Sequence, residues 1–446
     1  MITDKYFFPQ FQFLLDNKNF ELNQSSKSVS WIDNVRKRSL EIFNRYGLPS
    51  KKLEDWKYTD LRSLSEIPFS LADIPKNIDL QNSIDSYETT DGYKMVFVNG
   101  YFDYSLSKID NLPKGVYLSN LSKALKSNPS IIRESIEKNF QSNTNLLSYL
   151  NFAFMKDGYV LTIAENVVVE KPIEFIFLSA PNDNPESIHP RSIVIANKGS
   201  SVKINEIHNS LTDNYFWSNP VTSFFLGENS SIFYHKIQQG SNKSFHLSNI
   251  DINLDSNAYY ESFILTNGDK ISQNSFTSNL NGPGSQSFFC GAQLNTNEQH
   301  SDIKTLVNHN NSKCKSFQKY YSVADNKSHA VFQGKIFVKK NSQQTNADQL
   351  CRGLLLSSNA EITNKPELEI LADDVQCTHG ASIGDIDDDH LFYLRSRGIK
   401  LEDAKKILIE SFFQDIVSSI SSSELRNRYQ NIVSKWINKN ITKNEK

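Results

Sequence analysis

The spacing of hydrophobic positions changes twice along the chain, dividing it into a helical start, a long β-rich middle and a helical end. From Ser30 to Gly47 the residues Ile32, Val35, Ile42, Phe43 and Tyr46 recur at helical spacing. Gly47 supplies a stop, and Pro49 lies where a helix cannot continue. A strand-like run, Met95-Val96-Phe97-Val98, then reaches the turn signal Asn99-Gly100. From about Leu118 to Met155 a helical pattern returns, with Leu121, Leu125, Ile131, Ile132, Ile136 and Phe140 among its apolar positions. Residues 1–157 are therefore expected to form a mostly helical N-terminal domain.

After Asp157-Gly158 the runs become short and β-branched, as in Tyr159-Val160-Leu161-Thr162-Ile163 and Ser192-Ile193-Val194-Ile195. Polar turns break them at Asn197-Lys198-Gly199-Ser200, Gly227-Glu228-Asn229-Ser230, Asp255-Ser256-Asn257, Gly282-Pro283-Gly284-Ser285 and Asn310-Asn311-Ser312-Lys313. The turns recur at roughly 28 residues, a period typical of repeat architectures. A propeller needs blades of about 40 residues or more, and a sandwich has no cause to keep a steady period. A β-solenoid over residues 158–380 accounts for both observations, with a sandwich or jelly roll as the plainer competitor.

The last region, residues 381–446, is helical again. Asp387-Asp388-Asp389 suits a helix N-terminus and Gly398 ends that helix. A second helix carries Ala404, Ile407, Leu408 and Phe412 on one stripe, and a third carries Leu425, Tyr429, Ile432, Val433 and Trp436. Such amphipathic helices either pack on their own chain or offer a face to a partner. The tail from Asn438 to Lys446 is polar and expected to fray.

Composition narrows the classes. At 446 residues the chain exceeds one ordinary core, and 38% hydrophobic with 22% charged residues describes a folded protein. A formal net charge of -2 argues against a dedicated nucleic-acid binder. No apolar run approaches the roughly 20 residues that span a bilayer, and Met1-Ile2-Thr3-Asp4-Lys5 lacks the layout of a secretory signal. Cys290, Cys314, Cys351 and Cys377 lie far apart, which reads as reduced thiols in a cytoplasmic protein. The abundant Asn and Ser read as polar turn residues only.

Candidate chemistry concentrates at Cys377-Thr378-His379. In an extended segment side chains two apart project to the same side, so a thiolate and an imidazole form half of a site for iron, zinc or an iron–sulfur cluster. Two donors do not close a metal site, and the plainer reading is a buried thiol and a hydrogen-bonded histidine ending the last coil. Asp373-Asp374 reads as a solvated turn. Cys290 and Cys351 read as buried core thiols, and Cys314, between Lys313 and Lys315, as an incidental surface thiol. His208, His235, His246, His300, His309 and His329 are scattered through the β region, where stacking could make a ladder that sequence does not specify. There is no Walker loop, nucleophile elbow or His-Glu-x-x-His, so ATP hydrolysis by this chain is not expected.

The run Asn364-Lys365-Pro366-Glu367-Leu368-Glu369-Ile370, continuing through Ala372-Asp373-Asp374-Val375-Gln376-Cys377-Thr378-His379-Gly380-Ala381 to Gly384, resembles the SufB/SufD family of iron–sulfur cluster assembly proteins. So do Leu391-Phe392-Tyr393-Leu394-Arg395-Ser396-Arg397-Gly398-Ile399, Glu54-Asp55-Trp56-Lys57-Tyr58-Thr59-Asp60-Leu61 and Val96-Phe97-Val98-Asn99-Gly100-Tyr101-Phe102. Asn151-Phe152-Ala153-Phe154 through Asp157-Gly158 fits as well, and the Cys-x-His form is similar to the SufD branch. The resemblance implies a right-handed parallel β-helix between helical domains. It also implies a non-catalytic scaffold that pairs with a SufB-like paralogue through the β-helix and binds a SufC-like ATPase through the C-terminal helices. Leu394, Arg395, Arg397, Ile407, Leu408 and Phe412 are then the candidate ATPase contacts, coupling ATPase movement to the paired interface. It further implies that His379, with Cys377 beside it, contacts transient iron or an iron–sulfur cluster shared with the SufB-like partner. No tightly bound cofactor is expected, and a reduced flavin in the complex is left open. A homodimer of the isolated chain through the same surface is expected, and neither nucleic acid nor membrane is expected as a partner. Two other readings stay open: a β-helix polysaccharide-active enzyme of the secreted type, and a SufB-type scaffold that itself accepts sulfur.

Overall fold

The computed structural model describes residues 30–75, 80, 92–142, 145–420 and 422–441. The start read for a secretory signal, Met1 to Lys5, and the tail from residue 442 onward lie outside them. Among the described residues no helix is long and apolar enough to cross a membrane.

The short β-branched runs stack as a parallel β-solenoid. Sheet 1 climbs from Arg191–Ala196 to Glu361–Ile370 and sheet 2 from Ile173–Ser179 to Val375–Asp385, each strand pairing with the strand one coil away. In sheet 2 Tyr259 pairs with Gln286, Gln286 with Lys315 and Lys315 with Asn346, steps of 27, 29 and 31 residues. The sequence period is thus one coil. Alternate residues of both sheets point into a shared lumen, where Ile204, Tyr234, Ile250, Phe276, Phe289, Ile303 and Phe332 form one continuous core. Each such side chain contributes about 1.5–3 kcal/mol on burial.

The turns show why Asn and Gly recur at a few fixed places. Asn166, Gly199, Asn229, Asn257, Gly284, Lys313 and Gln344 occupy one turn position per coil, all at positive φ. That region tolerates Gly and Asn best. Each residue's amide donates to the carbonyl of the turn one coil on, as Gly199 does to Glu228, Asn229 to Ser256 and Lys313 to Gln343, each at 2.9 Å. The residue that follows closes its own turn: Ser200, Ser230 and Ser285 donate Oγ to the carbonyl three residues back.

The N-terminal region wraps the outside of sheet 1 and adds to both sheets. Helix α1 (Ser30–Tyr46) ends where Gly47, at φ 71, donates to the Phe43 carbonyl. A short helix α2 (Arg62–Ser65) follows, and α3 (Leu121–Ser127), α4 (Pro129–Ser142) and α5 (Leu146–Phe154) complete the group. The expected helix from Leu118 begins differently, because Val116–Asn120 is a strand paired antiparallel with Tyr159–Ile163. Tyr93–Val98 turns through Asn99-Gly100, both at positive φ, into Tyr101–Lys108 and pairs parallel with Ile173–Ser179. Asn151 of α5 bonds the carbonyls of Pro190 and Asn219 at 2.8 Å and accepts from Arg191 Nε at 2.9 Å, which fixes the helical-to-β junction. Gly158 permits that junction: a Cβ there would sit 2.1 Å from the Arg191 carbonyl oxygen.

At the other end come α6 (Asp388–Ser396), α7 (Leu401–Val417) and α8 (Ser423–Ile441). Ile409, Phe413, Ile416 and Val417 of α7 and Leu425, Tyr429, Val433 and Trp436 of α8 bury against the outer face of sheet 2, with Phe263, Leu265, Ala292 and Tyr321. The α8 stripe matches the sequence pattern. In α7 the buried stripe is offset: Ile407 is exposed and Phe412 is half-buried against the Tyr321 ring at 5.0 Å.

Candidate functional site

The solenoid ends on two edge strands, Glu361–Ile370 and Val375–Asp385, which nothing caps among the described residues. Their inward positions therefore line an open mouth instead of a closed core. Register places Cys377 over Ala347 and His379 over Gln349, and both of those partners point into the lumen. Cys377 and His379 thus share the inward face, as their spacing predicts. Thr378 faces outward and donates to Asp348.

Cys377 is half-buried against the end of the core, and burial raises its thiol pKa, offset in part by a hydrogen bond from the Ala347 amide. His379 is exposed, and its side chain has no hydrogen-bond partner among the described residues. Across the mouth stand Asn364, Pro366 and Leu368, whose register partners Phe332, Gly334 and Ile336 face the lumen. Pro366 lacks an amide hydrogen, which only an edge strand tolerates. A soft sulfur and a borderline nitrogen at one opening suit iron or zinc. They are two donors where a closed site needs three or four.

The other sequence candidates separate. Asp373 and Asp374 lie in the exposed turn before the last strand, where Asp374 accepts from the Gln344 amide, as a solvated turn would. Cys351 is fully buried in the lumen and its thiol is pushed up to about 12 by burial. Cys290 faces α7 on the outer side of sheet 2, also pushed up to about 12. Cys314 is the correction: it is fully buried, in the turn-closing position that Ser285 and Thr345 hold in the neighbouring coils. Its Sγ lies 3.4 Å from the Gly282 carbonyl, and burial raises its pKa. The flanking lysines point away because they alternate with it.

The histidines form no single ladder. His208 and His246 meet edge-on inside the lumen at 4.7 Å, and His300 and His329 meet edge-on outside sheet 1 at 5.0 Å. His300 bonds Thr59 at 2.9 Å, and Thr59 donates to the buried Asp302 at 2.7 Å. With Glu54–Lys365 at 2.5 Å and Asp55–Lys304 at 2.6 Å, this shows what the Glu54-to-Leu61 motif does. It clamps the N-terminal region to the last coils of sheet 1, the edge that borders the mouth.

Of the C-terminal candidates, Arg395, Arg397 and Ile407 are exposed, whereas Leu394, Leu408 and Phe412 are half-buried. Sequence reasoning did not single out Phe392 and Tyr393, which are 73% and 56% exposed on α6, the helix that carries Arg395 and is followed by Arg397. Leu401 and Ile407 of α7 are exposed too, and the Arg397 guanidinium lies 5.2 Å from the Tyr393 ring centre. An aromatic pair on a helix with no buried residue was the available signal.

A family model described as SUF system FeS cluster assembly, SufBD core domain, matches residues 177–412. A second, described as SufBD protein N-terminal region, matches residues 9–175. An iron–sulfur cluster assembly SufBD family protein of Synechocystis is 30% identical over 92% of each chain. The iron–sulfur cluster assembly protein SufD of Escherichia coli is 27% identical over 87% of this chain and 89% of its own. The SufD of Bacillus subtilis is 23% identical over 93% of this chain and 96% of its own.

Proposed function

The chain belongs to the SufBD family of iron–sulfur cluster assembly proteins, and on that premise we propose that it is a SufD-type scaffold subunit, cytoplasmic and without catalysis of its own. The observation that carries the reading is the uncapped coil: two edge strands with Cys377 and His379 on their inward face and too few donors to close a site. An open sheet edge is a template for another chain. A SufB-like paralogue with the same architecture would continue the sheets and supply the missing ligands. Iron or a nascent cluster is cargo at that junction, with His379 the stronger ligand because it is the more exposed of the pair.

In this reading residues 1–157 brace the solenoid, the coils from 158 to the end of the last strand at Asp385 present the paired edge, five residues beyond the expected boundary at 380, and the helices that follow receive a SufC-like ATPase. The exposed face of α6 and the start of α7, with Phe392, Tyr393, Arg395, Arg397 and Ile407, is the ATPase contact. Leu394, Leu408 and Phe412 support that face from beneath. In isolation the same open edge pairs two copies of this chain. Against a polysaccharide-active enzyme, the mouth carries a thiol and an imidazole, where such enzymes use carboxylates. The SufB-type alternative would need a reactive sulfur acceptor, and Cys351 is a buried thiol held protonated.

Two surface variants test the two contacts separately. Ile383→Lys on the terminal strand should abolish co-purification with the SufB-like partner and leave ATPase capture intact. Phe392→Asp should do the reverse. Loss of both contacts from either variant, or of neither, would refute the assignment of surfaces. Truncation from Asp387 is a poorer test, because α7 and α8 cover the outer core of sheet 2.

A further inference from the structure

A histidine that binds metal through one ring nitrogen nearly always gives its other ring N–H to a carboxylate, a carbonyl or a water, which sets its tautomer and orientation. His379 has no such partner among the described residues. Directly beneath it in the register, on the same inward face, stands Gln349. Gln349 is fully buried, yet neither its carboxamide oxygen nor its nitrogen has a hydrogen-bond partner. A buried amide left open at both ends carries the desolvation cost of both groups with nothing to offset it. Such groups in native proteins usually have a further use or hold a water.

The neighbouring coil supplies the contrast. Gln318 lies one coil deeper in the same column, and its Oε1 is already held by Thr305 Oγ1 at 2.5 Å. Gln349 has no such anchor. Its side chain crosses the lumen to sheet 1, where Gly334 makes room: a Cβ at Gly334 would come within 3.0 Å of the Gln349 nitrogen. The site is therefore built to hold a carboxamide at this level, in the coil directly beneath the strand that carries His379, whose backbone lies one strand spacing, about 4.8 Å, away.

We propose that Gln349 is a positioning residue for His379: its Oε1 accepts the inward ring N–H across one water and leaves the other nitrogen facing the mouth. This rests on the reading of His379 as a ligand at the paired edge. Gln349 does not touch the cargo. It acts by holding one tautomer and one ring orientation, which for such partners is worth about 10–100-fold in metal affinity.

The test uses the full chain labelled with ¹⁵N-histidine, with the His379 signals assigned by their loss in His379→Ala. Two-bond ¹⁵N–¹H correlations report the tautomer. The parent is expected to show one tautomer, Gln349→Met a mixture, and Gln349→Glu, which keeps an acceptor oxygen, one tautomer again. Gln349→Met keeps a similar volume, so the chain should still fold as the parent does. A Gln349→Met chain with the parent's tautomer ratio would overturn the proposal, as would a mixture already present in the parent. If Gln349→Met proves unstable, Gln349→Leu, which likewise removes the acceptor oxygen, must give the mixed tautomers for the proposal to stand. In the anaerobically reconstituted complex Gln349→Met should lower iron content tenfold or more. Parental iron content in His379→Ala would sink the ligand reading alone, since the tautomer measurement does not depend on metal.

Discussion

Removing the Asp415 carboxylate should loosen α7 from the last coils while the solenoid stays folded. Asp415 accepts from the Tyr321 hydroxyl and pairs with Lys319 at 3.1 Å and Arg352 at 3.7 Å. Lys319 and Tyr321 belong to Lys315–Ala324, and Arg352 to Thr345–Leu355, the strand that carries the site strand on its other edge. One side chain thus ties the helix proposed to meet the ATPase to the coils beneath Cys377 and His379. The carboxylate is 52% exposed, so each ion pair is worth only about 0.2–1 kcal/mol. With the tyrosine hydrogen bond added, the clamp contributes on the order of 1–2 kcal/mol. That is a small part of the stability of so long a chain and should move Tm by roughly 1–2 °C. Locally it is a factor of about 5–30 in the population of undocked helix. Hydrogen exchange read by mass spectrometry is the assay: amides of α7 in Asp415→Ala should exchange about tenfold faster while Tm falls by no more than about 1–2 °C. The hydrogen bond from Tyr321, then Lys319, holds the Asp415 pKa below the usual carboxylate range. Its contribution is therefore present above the unfolded value, near 4, and fades as pH falls below it. Parental exchange in Asp415→Ala, or a Tm drop of roughly 5 °C or more, would refute the reasoning.

Acid should destabilise the fold well above the carboxylate range. Burial holds His235 and His309 near pKa 4 and His189 and His300 near 3, so the fold keeps them neutral while the unfolded chain protonates them near 6.5. Their stabilising effect is complete above about 6.5 and is lost as pH falls towards 4, so Tm should drop steadily between pH 6.5 and 5 in a melting series. An unchanged Tm over that interval would contradict the burial of these imidazoles. Cys314→Ser should cost less than about 1 kcal/mol, because serine already closes the equivalent turns, whereas Cys314→Leu should cost roughly 1–3 kcal/mol by overpacking; denaturant melts decide between them. In native thiol labelling Cys377 should react first, and Cys377→Ser should remove that fast phase; fast labelling of Cys314 or Cys351 would contradict their burial.

The solenoid was legible because its signal is local and repeated: each coil writes a β-branched run and a polar turn, and the turn spacing equals the register step of 27 to 31 residues. Cys377 and His379 were legible because alternation along one strand needs no tertiary information. What stayed hidden depends on register. Gln349 is an ordinary polar residue until the pairing of strands 30 residues apart places it under His379. Cys314 looked solvated between two lysines because its neighbours are polar, yet the turn position decides its burial. Leu118 to Asn120 read as the start of a helix because they run straight into Leu121 and Leu125, and only the partner Tyr159–Ile163 makes Val116–Asn120 a strand. In α7 the choice between Ile407 and Ile409 as the inward face was set by sheet 2, which the helix pattern alone does not contain.

The central claim is that His379 at the open coil contacts iron or a nascent cluster that the chain shares with a SufB-like partner. Its most direct measurement is the iron and sulfide bound after anaerobic assembly on the co-purified complex, comparing His379→Ala and Cys377→Ala with the parent. The account predicts loss of most of the bound iron in His379→Ala, a smaller loss in Cys377→Ala, and unchanged association with both partners. Parental iron content in both variants would contradict it.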